Sequence, residues 1–385
     1  MDGRKRGQPI RGLEGVVAAE TSLSFVDGDN GKLYYRGYDI DELAGRVGFE
    51  EAVYLLWMGA LPTAEQVEEL RSELTADMRL PQQVYELIRH APPNADPMVV
   101  LRTAISALDL FDPDTGRNTE AANLRKGKRL LAQVATIVAS LHQIRSHGAV
   151  RSADRGLGFA GNFLYMFLGR LPDEQERSVF DTLLVLHADH GLAASTFAAR
   201  VTVSTLAGMH SAITAGLANL NGPLHGGANR KVIEMLEEIG GPERVEAYID
   251  GMLANGHKIM GFGHRVYKTQ DPRSRYLRRF AEELPRREGR EHLLEVSHRI
   301  ESLVFERKGI YPNVDFYSAT VQEALGIPKE YFTCVFAVSR TAGWVAHVME
   351  QFRDNRLIRP TSKYVGGFNK SFVPLGQRGG AGPGA

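Results

Sequence analysis

The longest apolar stretch of this 385-residue chain runs from Tyr331 to Met349 and carries one charged residue, Arg340, near its centre. A guanidinium in the middle of a lipid bilayer is costly, so the stretch does not favour a membrane span. It predicts instead a helix buried inside a large α-helical domain. Because an unpaired buried guanidinium is strongly destabilising, we expect Arg340 to meet a carboxylate, either from the protein or from a ligand.

Helical periodicity dominates most of the remaining chain. Residues 49–58 place Phe49, Val53 and Leu56 on one apolar face, and residues 230–256 indicate a helix, a Gly-Gly stop, a proline start and a second helix. Residues 182–206 are apolar on nearly every side, which predicts one central helix. The exception is residues 20–38, where an Asp-Gly-Asp-Asn-Gly turn predicts a β-hairpin. The prediction is a mainly α fold with a small N-terminal β-hairpin.

The chain length indicates more than one domain, because a single hydrophobic core stops growing at roughly 250–300 residues. We predict a large helical domain formed by residues 1–226 and 327–375, with a smaller domain over residues 227–326 between them. The last residues, 376–385, are rich in glycine and lack large apolar side chains, which predicts a disordered tail.

Composition limits the partners of the protein. Lys plus Arg and Asp plus Glu both number 46, so no overall field attracts nucleic acid or an anionic membrane. The single cysteine, Cys334, lies in an apolar run and can form no internal disulfide, which agrees with a reducing compartment. The basic N-terminus leads into no apolar segment of signal-peptide length. We therefore expect a cytoplasmic protein with no nucleic-acid or membrane partner.

The segment "NGPLHGGAN" places His225 in a break between helices. Pro223, Gly226 and Gly227 favour a tight turn, and the next helix is expected to begin near Asn229. The positive end of a helix dipole disfavours an imidazolium, and a neutral imidazole can donate a hydrogen bond to a carbonyl. The alternative is a histidine that only satisfies its own turn.

The segment from 260 to 279 combines His264 with a basic cluster. His264 follows Gly261 and Gly263, and six basic residues come after it against one acidic residue, Asp271. The six are Arg265, Lys268, Arg273, Arg275, Arg278 and Arg279. In a chain of zero net charge this is a local anion-binding cluster. For Arg278 and Arg279, a solvated helix face is the better interpretation.

Two further segments contain residues that could have either a catalytic or a purely structural role. Asp315 stands just before an expected helix, where an aspartate serves as an N-cap or as an oriented general base. His187 and His190 are three residues apart, on one face of the expected central helix. For His187 we favour a satisfied core histidine.

Five segments in this order resemble the citrate synthase family: "LHADHGLAASTFAARV", "NGPLHGGAN", "GFGHRVYKTQDPR", "PNVDFYSA" and "FAVSR". The resemblance runs from "GLEGVVAAETSLSF" near the N-terminus to "RPTSKYVGG" near the C-terminus. It implies a two-domain, nearly all-α homodimer that condenses oxaloacetate with acetyl-coenzyme A and hydrolyses the thioester. That is an acyltransferase of the citrate (Si)-synthase type, which opens the tricarboxylic acid cycle. It implies no metal and no cofactor beyond the coenzyme A thioester, which is a substrate.

The resemblance also implies roles for individual residues. His225 would hydrogen-bond the thioester carbonyl, Asp315 would remove a methyl proton, and His264 would polarise the carbonyl of oxaloacetate. The implied oxaloacetate-binding residues are His190, Arg273, Arg340 and Arg359, the last reaching the site of the neighbouring subunit. The implied coenzyme A contacts are Gly261, Phe262, Gly263, Arg265, Lys268 and Asn313.

Three alternatives remain open from the sequence. Relatives that take propionyl-coenzyme A, the 2-methylcitrate synthases, use the same catalytic set, and one methylene is worth only ~1–3 kcal/mol of discrimination. A metal-dependent hydrolase could use His187, His190 and His225, although no carboxylate has a matching spacing. A non-catalytic helical scaffold is the third alternative, because a fold does not imply a function.

Overall fold

The computed structural model describes residues 9–285 and 289–378 of the chain. Over these residues it contains sixteen α-helices and one three-stranded antiparallel sheet, which confirms the predicted mainly α fold. The predicted tail at 376–385 overlaps a short 3-10 helix at Leu375–Gln377, and residues 379–385 lie outside the described residues.

Most helices follow one another with short connections, and the longest connection, residues 255–273 between α12 and α13, carries His264. The first eight are α1 (Ile40–Leu43), α2 (Phe49–Met58), α3 (Ala64–Asp77), α4 (Gln82–His90), α5 (Pro97–Leu108), α6 (Glu120–His147), α7 (Gly158–Leu168) and α8 (Glu174–His187). The second eight are α9 (Ala194–Ser204), α10 (Met209–Leu220), α11 (Ala228–Ile239), α12 (Val245–Ala254), α13 (Ser274–Glu283), α14 (His292–Lys308), α15 (Val314–Ala324) and α16 (Phe332–Arg353). Other 3-10 helices lie at Arg11–Leu13, Pro242–Arg244 and Lys329–Tyr331.

The sheet is the predicted hairpin with one short strand added. Strands β1 (Ser24–Asp27) and β2 (Lys32–Tyr35) pair antiparallel around the Asp-Gly-Asp-Asn-Gly turn, and β3 (Tyr38–Asp39) pairs with β2. The buried hydroxyl of Tyr35 donates to the backbone carbonyl of Asp189 at 2.8 Å and accepts from its amide at 3.1 Å. The hairpin is thereby tied to the chain that follows α8.

Helix α16 lies at the centre of the helical packing, in contact with α2, α6, α8, α9 and α10. Its residue Arg340 is only 1% exposed, which confirms the predicted buried helix with a charged residue at its centre. The indole of Trp57 donates to the carbonyl of Ala342 at 2.9 Å and ties α2 to α16. Of the described helices, none is both long enough and apolar enough to cross a membrane.

The prediction of one central helix over residues 182–206 is wrong. Helix α8 ends at His187 and α9 begins at Ala194, so residues 188–193 form a loop. Gly191 has a left-handed φ of 58°, and the carbonyl of Ala188 accepts a hydrogen bond from Gly343 of α16 at 3.1 Å instead of continuing the helix. Both flanking helices are largely buried, so apolarity alone does not reveal the break. His187 and His190 therefore do not share a helical face.

The chain divides into two compact units. The described parts of the terminal segments Met1–Glu20 and Ile358–Ala385 form one unit, and Thr21–Leu357 forms the other. Within the larger unit, α11 contacts α14 and α15, and α12 contacts α14. The predicted domain boundaries at 227 and 326 stay a prediction.

Candidate active site

His225 lies in a turn that closes against the end of α10. Its amide donates to Gly222 at 2.9 Å, and the next amide, that of Gly226, donates to Leu220 at 2.9 Å. A side chain on Gly226 would come within 2.6 Å of the Leu220 carbonyl oxygen, so the turn requires glycine there. The imidazole therefore precedes α11 in a tightly held loop, as the sequence predicts.

Ser195 of α9 determines the protonation pattern of His225. The Nε2 atom lies 2.8 Å from Ser195 Oγ and accepts from the Ser195 amide at 3.3 Å. The indole of Trp344 donates to Ser195 Oγ at 3.2 Å, which leaves the hydroxyl proton to point at Nε2. Because Nε2 accepts, a neutral ring carries its proton on Nδ1. Nδ1 is then a donor for a bound carbonyl.

His225 is neutral around pH 7. Burial, with the charge of Arg340 as a second cause, lowers the pKa of His225 to about 4. The sequence predicts a neutral ring from the helix dipole, whereas the structure provides burial as the larger cause. The chemical consequence is the same, a neutral donor.

His264 has the opposite tautomer. Its Nδ1 accepts from the amides of Val266 at 3.0 Å and Tyr267 at 3.1 Å, so the proton of a neutral ring is on Nε2. Burial lowers the pKa of His264 to about 4, with Arg273 adding to the effect and Asp271 opposing it. His264 is thus a second neutral donor.

His190 lies beside His264, in the loop between α8 and α9. The two rings are 5.2 Å apart and edge to face, and Nε2 of His190 is 3.2 Å from the hydroxyl of Tyr267. Burial, with the charge of Arg273 as the second cause, lowers the pKa of His190 well below its ordinary value. Tyr267 was not predicted from the sequence; its position three residues after His264 is the signal that could have found it.

Arg273 is buried and already paired. It makes two hydrogen bonds to Asp271, from Nε at 2.9 Å and from Nη2 at 2.7 Å. Burial opposes ionisation of Asp271, but Arg273 outweighs it and lowers the pKa of that carboxyl. Asp271 also accepts from the amide of Val314 at 3.2 Å, which joins the start of α13 to the start of α15.

The interpretation of Asp315 as an N-cap is wrong. Asn313 caps α15, and its Oδ1 accepts from the amide of Asp315 at 3.0 Å. Asparagine is as good a cap as aspartate, and the sequence offers both within three residues. Asp315 is instead the second residue of the helix, and its carboxylate is free of the capping role.

The carboxylate of Asp315 is buried and under-bonded. Its Oδ1 has no hydrogen-bond partner among the described residues. Burial raises the pKa of Asp315 to about 7, with Arg273 opposing the rise, Asp271 adding to it and Arg340 opposing it. A carboxylate that titrates near neutrality with an unpaired oxygen is suited to accept a proton from a substrate.

Arg340 carries a buried charge next to these groups. Its Nε donates to the carbonyl of His187 at 2.8 Å, and its guanidinium lies 4.7 Å from the ring centre of Phe336. Burial lowers the pKa of Arg340 to about 10. No carboxylate in residues 9–285 or 289–378 forms a direct ion pair with it, although the buried Asp189 and Asp315 are close enough to raise its pKa, and a ligand carboxylate as its direct partner stays a prediction.

The positions predicted to contact coenzyme A lie in the segment between α12 and α13 and, for Asn313, just before α15. The backbone nitrogen of Asn313 donates to the carbonyl of Gly261 at 2.8 Å, and its side-chain Nδ2 donates to the carbonyl of Gly263 at 2.9 Å. Phe262 packs edge to face on Phe316 at 4.7 Å. A cavity of about 210 Å³ lies beside His264, between residues 263–271 and 309–313. These contacts are internal, and a role in binding coenzyme A stays a prediction.

The remaining predicted residues lie at the surface or outside the larger unit. Arg265 is exposed, and Lys268 pairs with Asp29 at 2.7 Å with both side chains largely exposed. Arg359 belongs to the terminal unit and is exposed. The structure thus brings together His190, His225, His264, Arg273, Asp315 and Arg340 in the larger unit.

The histidines of the hydrolase alternative are engaged elsewhere. His187 is a core residue whose Nδ1 bonds the Leu183 carbonyl at 2.8 Å, while His190 meets Tyr267 and His225 meets Ser195. Across the described part of the chain, no three His, Cys, Asp or Glu side chains are grouped closely enough to hold a metal ion.

Comparison with known proteins gives a consistent family. The family described as "Citrate synthase, C-terminal domain" matches residues 12–361. Citrate synthase of Deinococcus radiodurans is 45% identical over 371 residues, which are 96% of this chain and 98% of the relative. Citrate synthase 2 of Bacillus subtilis is 46% identical over 369 residues, 96% of this chain and 99% of the relative.

A more distant relative is the 2-methylcitrate synthase of Shewanella oneidensis, 38% identical over 371 residues, 95% of this chain and 97% of that one. Among solved structures, the chain is similar to a ternary complex of citrate synthase from Thermoplasma acidophilum with carboxymethyl coenzyme A and oxaloacetate. The TM-score is 0.89 at 33% identity, over 95% of this chain and 98% of that one.

Proposed function

The chain belongs to the citrate synthase family, and from that premise we propose that it condenses oxaloacetate with acetyl-coenzyme A and water to give citrate and coenzyme A. This makes it an acyltransferase of the citrate (Si)-synthase type, placed at the entry of the tricarboxylic acid cycle. The proposal rests on Asp315, a buried carboxylate with an unpaired oxygen and a pKa raised by burial to about 7.

Oxaloacetate is a dianion, and the site offers buried cations and neutral donors for it. Arg273 forms a direct ion pair with Asp271, whereas Arg340 is in direct ion-pair contact with no described carboxylate and only interacts over a longer distance with Asp189 and Asp315. A substrate carboxylate can pair with the planar guanidinium of Arg340, which offsets its burial. His190 adds a further contact, and Nε2–H of His264 donates to the ketone oxygen, which makes the ketone carbon more electrophilic.

The thioester is activated by His225 and Asp315 together. Asp315 takes a proton from the acetyl methyl group while Nδ1–H of His225 donates to the thioester oxygen, where negative charge develops. One such preorganised donor is worth ~10²–10³ in rate. The resulting carbon nucleophile bonds to the ketone carbon of oxaloacetate, and the ketone oxygen takes up a proton. Water then cleaves the thioester and releases coenzyme A.

We also propose that the enzyme works as a homodimer in the cytoplasm without a cofactor. Helices α9 and α10 together carry one charged residue, Arg200, and it is buried. Nearby, Leu110 and Leu206 are 81% and 63% exposed. An uncharged helical surface with exposed leucines favours burial against a second copy of the chain.

The homodimer proposal includes Arg359 acting across the interface. Refolding Arg359→Ala together with Asp315→Asn produces mixed dimers, in which one site has an intact Asp315 and an intact Arg359 from its partner. If Arg359 acts across the interface, activity recovers to about one quarter of the parental value, since half of the dimers are mixed and each has one complete site. No recovery from two inactive homodimers means that Arg359 acts within its own subunit, whereas an Arg359→Ala homodimer that is already active means that Arg359 has no role.

The function itself is tested by release of free coenzyme A from purified protein with oxaloacetate. Acetyl- and propionyl-coenzyme A are compared side by side, because the chain is 45% and 46% identical to the citrate synthases of Deinococcus radiodurans and Bacillus subtilis but 38% identical to the 2-methylcitrate synthase. Faster release from acetyl-coenzyme A is expected. Faster release from propionyl-coenzyme A would assign the protein to methylcitrate synthesis, and no release from either would reject the reaction.

A further inference from the structure

We propose that the N-terminal β-hairpin is a positioning element of the active site, in which Ser24 holds the loop of His190 and Gly28 holds the loop of His264. The expected changes in kcat and KM rest on the proposed function, whereas the contacts of Ser24 and Gly28 do not depend on it. Both histidines lie on loops and not within helices, so helix packing alone does not orient them. The hairpin contacts both loops.

Ser24, at the start of β1, bonds the chain on both sides of His190. Its hydroxyl oxygen accepts from the amide of Gly191 at 2.9 Å, and its hydroxyl proton is donated to Oδ2 of Asp189. Asp189 is fully buried, and the same Oδ2 lies 3.3 Å from Nε2 of His347 on α16. One serine side chain therefore holds the side chain of the residue before His190 and the backbone amide of the residue after it.

Gly28, in the hairpin turn, packs directly on the loop of His264. Its carbonyl accepts from the amide of Lys268 at 2.9 Å. A Cβ added to Gly28 would lie 2.8 Å from the carbonyl carbon of Val266 and closer still to its oxygen. Real Cβ contacts essentially never come within 3.0 Å, so only glycine allows this approach.

The peptide group that Gly28 touches is one of the two whose amides set the tautomer of His264. The Val266 carbonyl and the Tyr267 amide belong to one planar peptide, and that amide donates to Nδ1 of His264 at 3.1 Å. A shift of the carbonyl away from a new methyl group must rotate or translate the amide on its other side. The hairpin turn thus acts on His264 through one rigid unit.

The two contacts together fix the relative placement of His190 and His264, whose rings are 5.2 Å apart. Catalytic groups must be held within ~0.5 Å of the productive geometry, and a displacement of ~1 Å can reduce the rate ~10²-fold. A strand with its own ladder of hydrogen bonds is a stiffer support than two independent loops. The only sheet in the described residues is therefore placed where rigidity is needed.

The first test is Gly28→Ala, with Gly251→Ala in α12 as the matched control. Neither glycine has a positive φ, and an added Cβ at Gly251 meets nothing within 4 Å. For Gly28→Ala we expect faster amide hydrogen exchange in residues 263–272 and not in 186–194, with kcat lowered about 10- to 100-fold. The control is expected to match the parent in kcat and in exchange of both segments, and to keep or raise the melting temperature because alanine is the better helix former.

The second test is Ser24→Ala, with Ser24→Thr as the conservative variant. Ser24→Ala should speed exchange in residues 186–194 and not in 263–272, and raise KM for oxaloacetate more than it lowers kcat. Ser24→Thr keeps the hydroxyl and should restore both values. A structural role alone would lower the melting temperature without this split between KM and kcat.

The proposal is overturned if Gly28→Ala loosens residues 263–272 while kcat stays at the control value, or if either variant loosens both segments equally. If the parent protein releases no coenzyme A from either thioester, the proposed function fails on that result alone. The segment-specific exchange would still decide whether the hairpin holds the two loops separately.

Discussion

Ser195 contacts Nε2 of His225 twice, with its hydroxyl oxygen at 2.8 Å and its backbone nitrogen at 3.3 Å. The two residues come from different segments, since Ser195 begins α9 and His225 precedes α11. Trp344 of α16 completes the arrangement by donating to the same hydroxyl at 3.2 Å. Residues from three separate elements therefore keep the proton of the neutral His225 ring on Nδ1.

Ser195→Ala is expected to lower kcat about fivefold, which corresponds to the loss of one hydrogen bond of ~1 kcal/mol. The effect is moderate because the Ser195 amide still donates to Nε2 and retains the tautomer. Steady-state coenzyme A release measures it, and Ser178→Ala, at an exposed position of α8, is the control. Unchanged turnover in the Ser195 variant would mean that the hydroxyl contributes nothing to orienting His225.

The pH dependence of kcat/KM for the thioester is expected to follow Asp315. Its pKa is raised by burial to about 7, and a base must be ionised, so the rate rises as pH increases from 6 to 8. His225 and His264, whose pKa values burial lowers to about 4, stay neutral throughout that range. Asp315→Asn should stay folded and lose turnover. A flat profile between pH 6 and 8 would argue against Asp315 as the base.

Arg340→Met is expected to separate stability from binding. The melting temperature of the apo protein should change little, because the variant removes the desolvation cost of a buried guanidinium together with its attraction to the buried Asp189 and Asp315. Oxaloacetate binding should weaken by ~2–5 kcal/mol, measured by calorimetry. Arg353→Met, at the exposed end of α16, provides the control. Near-parental oxaloacetate affinity in Arg340→Met would remove Arg340 from the carboxylate clamp.

Asp181→Asn is expected to stabilise the protein at alkaline pH. Burial, with the charge of Glu50 as the second cause, raises the pKa of Asp181 to about 7. A raised pKa means that the native state favours the protonated acid, so stability is full below the ordinary value of 3.8 and is lost as pH rises toward about 7. The asparagine variant mimics the protonated form and avoids that loss.

Urea unfolding at pH 5.5 and pH 8.5 measures the effect of Asp181→Asn. The stabilisation should be larger at pH 8.5 by on the order of 1–2 kcal/mol. The exposed Glu174→Gln on the same helix should show no such difference. An equal effect at both pH values would mean that Asp181 keeps its charge in the native state.

The local organisation could be predicted because it depends on neighbours in the sequence. The turn of the β-hairpin, the two helices after His225 and the buried helix around Arg340 all follow from residues within a few positions of one another. Two predictions failed for a related reason. The break at residues 188–193 lies between two buried helices. The choice between Asn313 and Asp315 as the cap of α15 depends on which of the two side chains the packed fold directs to the helix end.

The sequence by itself determined the helices, the hairpin, the residue types available for the chemistry and their family resemblance, because periodicity, capping and turn formation are short-range. Only the tertiary structure decided the two histidine tautomers, the pairing of Arg273 with Asp271 and the raised pKa of Asp315. It also decided that Ser24 would bond Gly191, 167 positions away. Burial and hydrogen bonding between distant segments set these properties, and both arise only once the helices have packed.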